Sequence, residues 1–528
     1  MKRYRIIALA FGMLAGFVVD SAAQTFARTP YLQLGAPNRA TVCWRLSTAT
    51  SLTVRFGTDS LNLNRVSAPS AASTDACAQL DTLLPSTKYF YRVFNANTEI
   101  PGSSYQYIKT HPPVGSKAKH SFWVIGDFGI GPNHASFGNS QLQVRDAFVR
   151  VNKSNHTDGI LMLGDNAYEN GTDTEFTTGL FNVYPDIMAN SFSWPAIGNH
   201  DAVNLSSGYL TAFRLPDAAQ TGGVASGTEY YYSYNYGNIH FINLDSQVSN
   251  RTNTGAMYQW LLQDLQSPSA SQADWIVAYF HHAPYTCCDH NADTEINHVN
   301  MRYVFMPLLE QYGVDIQLSG HSHDYERTWL LDSAYSSSGT STTQATHVNW
   351  FNANRARIIV DSSTGNPDGT GPYRKKKGGN NGTVYAVVGS SAKLGTSTGQ
   401  HPMIGIKMNV FGSMILEIQD SVVTARFIDS GGVMLDKFQI VKSNLTVAVR
   451  EPGNTPTPLR SNAASFHHED RHFLFATDNS EALRVFALDG RIVFEGVPHG
   501  AWEASRKEFP AGEYYFRHGS ALGKISLK

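Results

Sequence analysis

Phe122-Trp-Val-Ile-Gly-Asp127-Phe-Gly129 decides how this chain is read. Four apolar residues run into a glycine and a carboxylate, which predicts a buried strand whose end carries a charged group. The same pattern returns four times. Ile160-Leu-Met-Leu163 leads into Gly164-Asp165-Asn-Ala-Tyr168, and Trp194-Pro-Ala-Ile197 into Gly198-Asn199-His200-Asp201. Trp275-Ile-Val-Ala-Tyr-Phe280 leads into His281-His282-Ala-Pro284, and Ile316-Gln-Leu318 into Ser319-Gly320-His321-Ser-His323. Helical patterns at Gln141 to Val151, Met257 to Leu265 and Met301 to Tyr312 separate strand-like runs, so the rhythm is α/β. In such folds ligands gather at the carboxyl ends of the strands.

Each ending is weak alone. A Gly-Asp pair is an ordinary turn, and a lone histidine at a strand end is commonly structural. In series they offer carboxylates, an amide and imidazoles, the mixed hard and borderline donors that first-row transition metals accept. No thiolate is among them, and the oxygens suit an ion such as Fe(III).

Working outward, residues 118–442 form this α/β unit. Within it, Ser333 to Asn381 is rich in Ser, Thr, Gly and Asn and reads as a long surface excursion. Residues 24–112 are short β-like runs such as Ala40-Thr-Val-Cys-Trp-Arg45 and Lys88-Tyr-Phe-Tyr-Arg-Val-Phe94, spaced as in an all-β sandwich. His111 to Ser116 reads as a connector. A Pro-rich linker occupies 443–458, and 459–528 form a small β-rich unit, with Asp489-Gly490 between alternating runs as a hairpin signal. The expected architecture is therefore multidomain: an N-terminal all-β sandwich, a central α/β unit of packed sheets flanked by helices, and a small C-terminal β-sandwich.

The first 23 residues read as a secretory signal peptide. Lys2, Arg3 and Arg5 precede a 14-residue apolar run, Ile6 to Val19, and then Ser21-Ala-Ala23. That run is too short to span a bilayer. The formal net charge of −2, without a long basic block, argues against nucleic acid as a partner. Four Cys in 528 residues exclude a disulfide scaffold. Cys43 and Cys77 are left open between a disulfide and two buried thiols, as export permits either.

The series Gly-Asp-x-Gly, Gly-Asp-x-x-Tyr, Gly-Asn-His-Asp, His-x-Pro and Gly-His-x-His, in this order, resembles the purple acid phosphatases of the calcineurin-like metallophosphoesterase superfamily. Leu84-Pro-Ser-Thr-Lys-Tyr89 followed by Tyr91 resembles the fibronectin type III sandwich that plant-type members carry. The resemblance covers about 24–442. It implies two metals: Asp127, Tyr168 and His323 on a ferric ion, Asn199, His282 and His321 on a divalent Fe, Zn or Mn, and Asp165 bridging. For Tyr168 a buried core tyrosine is the plainer alternative. The family's histidine stands two residues before the proline, which selects His282 over His281. His200 matches a histidine beside the metals, and His290 falls where members place a substrate-facing one, with His298 as an alternative. His200 and His290 are thus the expected catalytic residues, and with Asn199 they would bind substrate. Asp201 reads as orienting His200 or as a helix cap, and Cys287 and Cys288 as rim residues, thiols or a vicinal disulfide.

The resemblance implies a binuclear acid phosphatase that hydrolyses small phosphate monoesters by attack of a metal-bound hydroxide. Its rivals are a phosphodiesterase or nucleotidase with the same metals, and a surface binding protein with a vestigial metal site. Val485-Phe-Ala-Leu-Asp-Gly-Arg491, Phe509-Pro-Ala-Gly-Glu-Tyr-Tyr515 and Gly523-Lys-Ile-Ser-Leu-Lys528 resemble the type IX secretion sorting domain of Bacteroidetes. That would make the secretion machinery a partner and place the protein outside the cell or on its surface. A generic carbohydrate-binding or stability module is the alternative. Family analogy also admits a homodimer.

Overall fold

The computed structural model describes residues 24–443 except 104, 154, 336–342, 377–379 and 397–398, and then the backbone of seven strands between 464 and 527. The expected signal peptide and all but the first residue of the expected linker lie outside the described residues.

Two sheets carry the α/β region. One runs in spatial order through Tyr373–Lys376, Met434–Ser443, Val422–Asp429, Gly412–Gln419, His120–Ile125, Gly159–Met162, Phe192–Pro195, Phe26–Gln33, Ala40–Thr50 and Ser73–Leu80. The other runs through Tyr232–Tyr236, Ile239–Asn243, Trp275–His282, Ile316–Gly320, Thr383–Val388, Tyr325–Leu331 and Ile359–Asp361, with Ile404–Met408 added beside Tyr325–Leu331. The strands that precede the five motifs pair in parallel within each sheet: Leu161 lies opposite Val124 and Trp194, and Val277 opposite Ile316. Their carboxyl ends therefore emerge together.

Strand alternation splits the apolar residues between two layers. In His120–Ile125, Phe122 meets Phe241 of the opposite sheet at 4.8 Å between ring centroids, while Trp123 stacks on Phe148 of the helix Ser140–Asn152 at 4.3 Å. Trp194 lies flat on Tyr234 across the same interior, 3.8 Å away. On the far side of the second sheet, Met257 and Leu261 of Ala256–Gln266 cover Ile242, Ile276 and Ala278. Ile296 to Gln311 is continuous helix, π-type over Met301–Phe305.

Two expectations change. Three strands of 24–112, Phe26–Gln33, Ala40–Thr50 and Ser73–Leu80, share a sheet with the strands of the first three motifs, because Phe26–Gln33 pairs in parallel with Phe192–Pro195 through Leu32 and Phe192, while the other five strands there form a sheet of their own. The connector residue His111 is buried against Phe192 and Tyr236. The expected surface excursion holds a helix, Gln344–Ile358, and an edge strand, Tyr373–Lys376. There Lys375 is buried 2.8 Å from Asp315, a pairing that lets a lysine occupy an interior position. Cys43 and Cys77 face each other across neighbouring strands and form a disulfide. In the C-terminal region Leu483–Ala487 and Ile492–Gly496 pair antiparallel; the expected turn pair Asp489-Gly490 lies outside the described residues.

Candidate metal centre

The five strand ends meet. Asp127, Asp165 and His281 bring ligand atoms within 4.8 Å of one another. Around Asp127, the Tyr168 hydroxyl donates to Oδ1 at 3.2 Å and Nε2 of His323 lies 3.6 Å from the same oxygen. Around Asp165, Nε2 of His281 lies 3.5 Å from Oδ1, 3.0 Å from Oδ1 of Asn199 and 3.1 Å from Nδ1 of His321. These are two contiguous donor sets, and Asp165 also bonds the Tyr168 phenol.

The backbone is shaped for this approach. Asp127, Asp165 and His321 adopt φ of 55°, 54° and 69°, left-handed conformations rare for residues with a Cβ. Such outliers cluster where function requires them. A Cβ on Gly320 would come within 2.4 Å of Oδ2 of Asp127, and one on Gly198 within 2.1 Å of the Asp165 carboxylate. Only glycine lets the strand ends close around the carboxylates.

The electrostatics suit a cation. Burial, and next to it the Asp165 charge, push the Asp127 carboxyl well above its usual range. Burial and Asp127 push the Tyr168 phenol up. Burial holds the imidazoles of His281 and His321 down, which keeps them neutral, the form that binds metal. Two buried carboxylates, a phenol, an amide and three imidazoles, with no thiolate, fit a pair of hard to borderline ions.

One expected residue turns its nitrogens elsewhere. The His282 ring lies 4.3 Å from that of His321, but its Nδ1 is 2.8 Å from the Ser246 hydroxyl and its Nε2 accepts from Asn297 at 3.3 Å. His281 takes the place at the donor set. The signal was alternation along Trp275–His282, where Val277 and Tyr279 face the layer between the sheets and Ile276, Ala278 and Phe280 face the helices. Continuing that count turns His281 to the cleft. Both faces are apolar, so no polarity marks them in the sequence.

His200 lies beside the donors. Its Nδ1 donates to the Glu169 carbonyl at 2.6 Å, its Nε2 is 3.9 Å from Oδ2 of Asp165, and its ring lies 4.4 Å from that of Tyr168. Asp201 does not orient it. The Asp201 carboxylate instead accepts from the backbone of Asn166 and Gly198, at 3.0 and 2.9 Å, and so ties two of the strand ends together. His290 packs its ring 3.7 Å from that of His321 and bonds Glu295, whose hydrogen bond and charge outweigh burial and raise its pKa. The alternative, His298, is buried, bonds the Ala283 carbonyl and has its pKa pressed down to about 4 by burial. Cys287 and Cys288 form no disulfide. The pattern of strand endings missed Asp289 and Glu295, which sit in an irregular loop and touch His323 and His321.

Residues 120–325 match the calcineurin-like phosphoesterase family. Over 279 residues the chain is 28% identical to purple acid phosphatase 23 of Arabidopsis thaliana, covering 47% of this chain and 56% of that protein. It is 25% identical over 267 residues to human acid phosphatase type 7, covering 48% and 56%. The chain thus spans about half the length of the curated relatives it matches. The solved purple acid phosphatase PPD1 from yellow lupin (Lupinus luteus) seeds has the same fold, with a TM-score of 0.61, 18% identity and coverage of 83% of this chain and 78% of that one.

Proposed function

We propose that this calcineurin-like metallophosphoesterase domain is a binuclear-metal phosphatase acting on small phosphate monoesters. The observation that carries the proposal is the pair of contiguous donor sets: Asp127, Tyr168 and His323 beside Asn199, His281 and His321, with Asp165 between them. Ions held there would supply Lewis acidity to the phosphoryl oxygens and to the attacking water.

The chain's own groups handle orientation and protons. The Glu169 carbonyl takes Nδ1 of His200, so Nε2 is left to meet a phosphoryl oxygen or the departing one. Glu295 takes Nδ1 of His290 through both oxygens at 3.1 Å, which leaves that Nε2 for the substrate. Its raised pKa keeps His290 cationic at acidic pH, so it can pair with phosphate and donate to an alkoxide leaving group. Asn199 places its amide next to His200 and His281.

Elemental analysis of the purified protein and turnover of p-nitrophenyl phosphate against bis(p-nitrophenyl) phosphate test the proposal together. Two ions per chain and faster monoester cleavage are expected. Fewer than two ions would sink the binuclear reading, and faster diester cleavage would reassign the enzyme as a phosphodiesterase.

A further inference from the structure

Each of the three site histidines turns one nitrogen to the donor cluster and gives the other to an acceptor outside it. His281 keeps Nε2 at Asn199 and places Nδ1 2.8 Å from the Leu163 carbonyl. His321 keeps Nδ1 at His281 and places Nε2 3.3 Å from the Glu295 carboxylate. His323 keeps Nε2 near Asp127 and bonds the Asp289 carboxylate through Nδ1. Both carboxylates come from the loop between Trp275–His282 and Ile296–Asn300.

That loop is held firmly. Cys287 and Asn291 form an isolated β-bridge, and the backbone NH of Asn291 donates to Glu295 at 2.9 Å. The backbone NH of His323 donates to Asp289 at 3.0 Å, and a Cβ on Gly395 would lie 2.4 Å from the Asp289 carboxylate. Glu295 also reaches His290 at 3.1 Å, so one carboxylate touches a donor histidine and the expected acid at once.

We propose that Asp289 and Glu295 are positioning residues of the metal centre: Asp289 fixes the ring and tautomer of His323 at one ion, and Glu295 fixes His321 at the other while locking His290 beside it. The inference rests on the binuclear reading above. An acceptor on the distal nitrogen keeps the hydrogen there, frees the other nitrogen for metal and raises its basicity. The competing description is a solvent-facing pair of ion contacts, since the Glu295 side chain is 37% exposed and that of Asp289 21%. Such contacts do little for a protein and would leave the metals undisturbed.

The full-length protein with Asp289→Asn, Glu295→Gln, Asp289→Glu and Glu295→Asp is titrated against a chelator while each metal is counted. Removing an outer-shell partner should weaken metal retention by about 10–100-fold. For Asp289→Asn the loss should fall on the ion at His323, and for Glu295→Gln on the ion at His321. Carboxylate-keeping variants should recover most of it. Glu295→Gln should also shift the acid–base limb of the kcat profile, because His290 loses its partner, whereas Asp289→Asn should leave that limb in place. General loosening of the loop would release both ions equally in both variants, and that result, or unchanged retention in both, overturns the inference. A wild type that retains fewer than two ions overturns the binuclear reading beneath it.

Discussion

His281 and His282 have the same chemistry and adjacent positions; direction separates them. His281 meets Asn199 and His321, and His282 meets Ser246 and Asn297. His281→Ala should therefore lose the ion proposed beside Asn199 and His321 and more activity than the 10–100-fold cost of an outer partner, while His282→Ala should keep two ions per chain. Elemental analysis of both variants checks this, and loss of an ion from His282→Ala alone would restore the family spacing as the better guide. Tyr168, 3.2 Å from Asp127, makes a second point at this scale. A phenolate on Fe(III) absorbs in the visible, so if the protein loaded with iron shows such a band Tyr168→Phe should bleach it; a retained band would assign the colour to another ligand. The residue types at the site were legible in the sequence because five strand endings repeat them. Which of two neighbouring histidines faces inward was not, because both faces of that strand are apolar.

Among the elements, the connector His111 to Ser116 shows how packing can bury a residue of a loop-like text. His-Pro-Pro reads as a connector, yet His111 is enclosed by Phe192, Trp194 and Tyr236. Burial presses its pKa down to about 3, against a weaker opposing bond to the Asn235 carbonyl. A histidine whose folded pKa lies below its unfolded value stabilises fully above about pH 6.5 and loses that contribution as pH falls toward the folded pKa. At pH 4.5 the cost is about 3 kcal/mol, two units at 1.36 kcal/mol each. Urea midpoints between pH 7 and 4.5 should fall less steeply in His111→Gln than in the wild type, and equal slopes would show that His111 titrates normally in the fold. The strand Tyr373–Lys376 was hidden for a related reason: Arg-Lys-Lys is not a strand signal until Asp315 supplies a buried counter-charge to Lys375.

At the scale of the molecule, continuity of sheets decides what can be separated. Phe26–Gln33 adds to the sheet of the first three motifs through Leu32 and Phe192, and Tyr31 donates to the Ala212 carbonyl. Deleting 24–112 would bare a hydrogen-bonding edge and the apolar surface behind it, so the remainder should aggregate, as measured by recovery of soluble protein. The strands of 464–527 form their own sheets of three and four. Deleting 459–528 should leave the melting temperature and phosphatase turnover of the rest unchanged, and a lowered melting temperature would show that this unit supports the fold. The amino-acid sequence determined the α/β rhythm, the strand endings and the donor types, since these depend on local hydrophobic period and residue chemistry. Only the tertiary structure decided that His281 faces the cleft, that Asp289 and Glu295 reach back to His323 and His321, and that three of the N-terminal strands join the sheet of the first three motifs. Those outcomes depend on distances between segments far apart in the chain, and no local pattern encodes them.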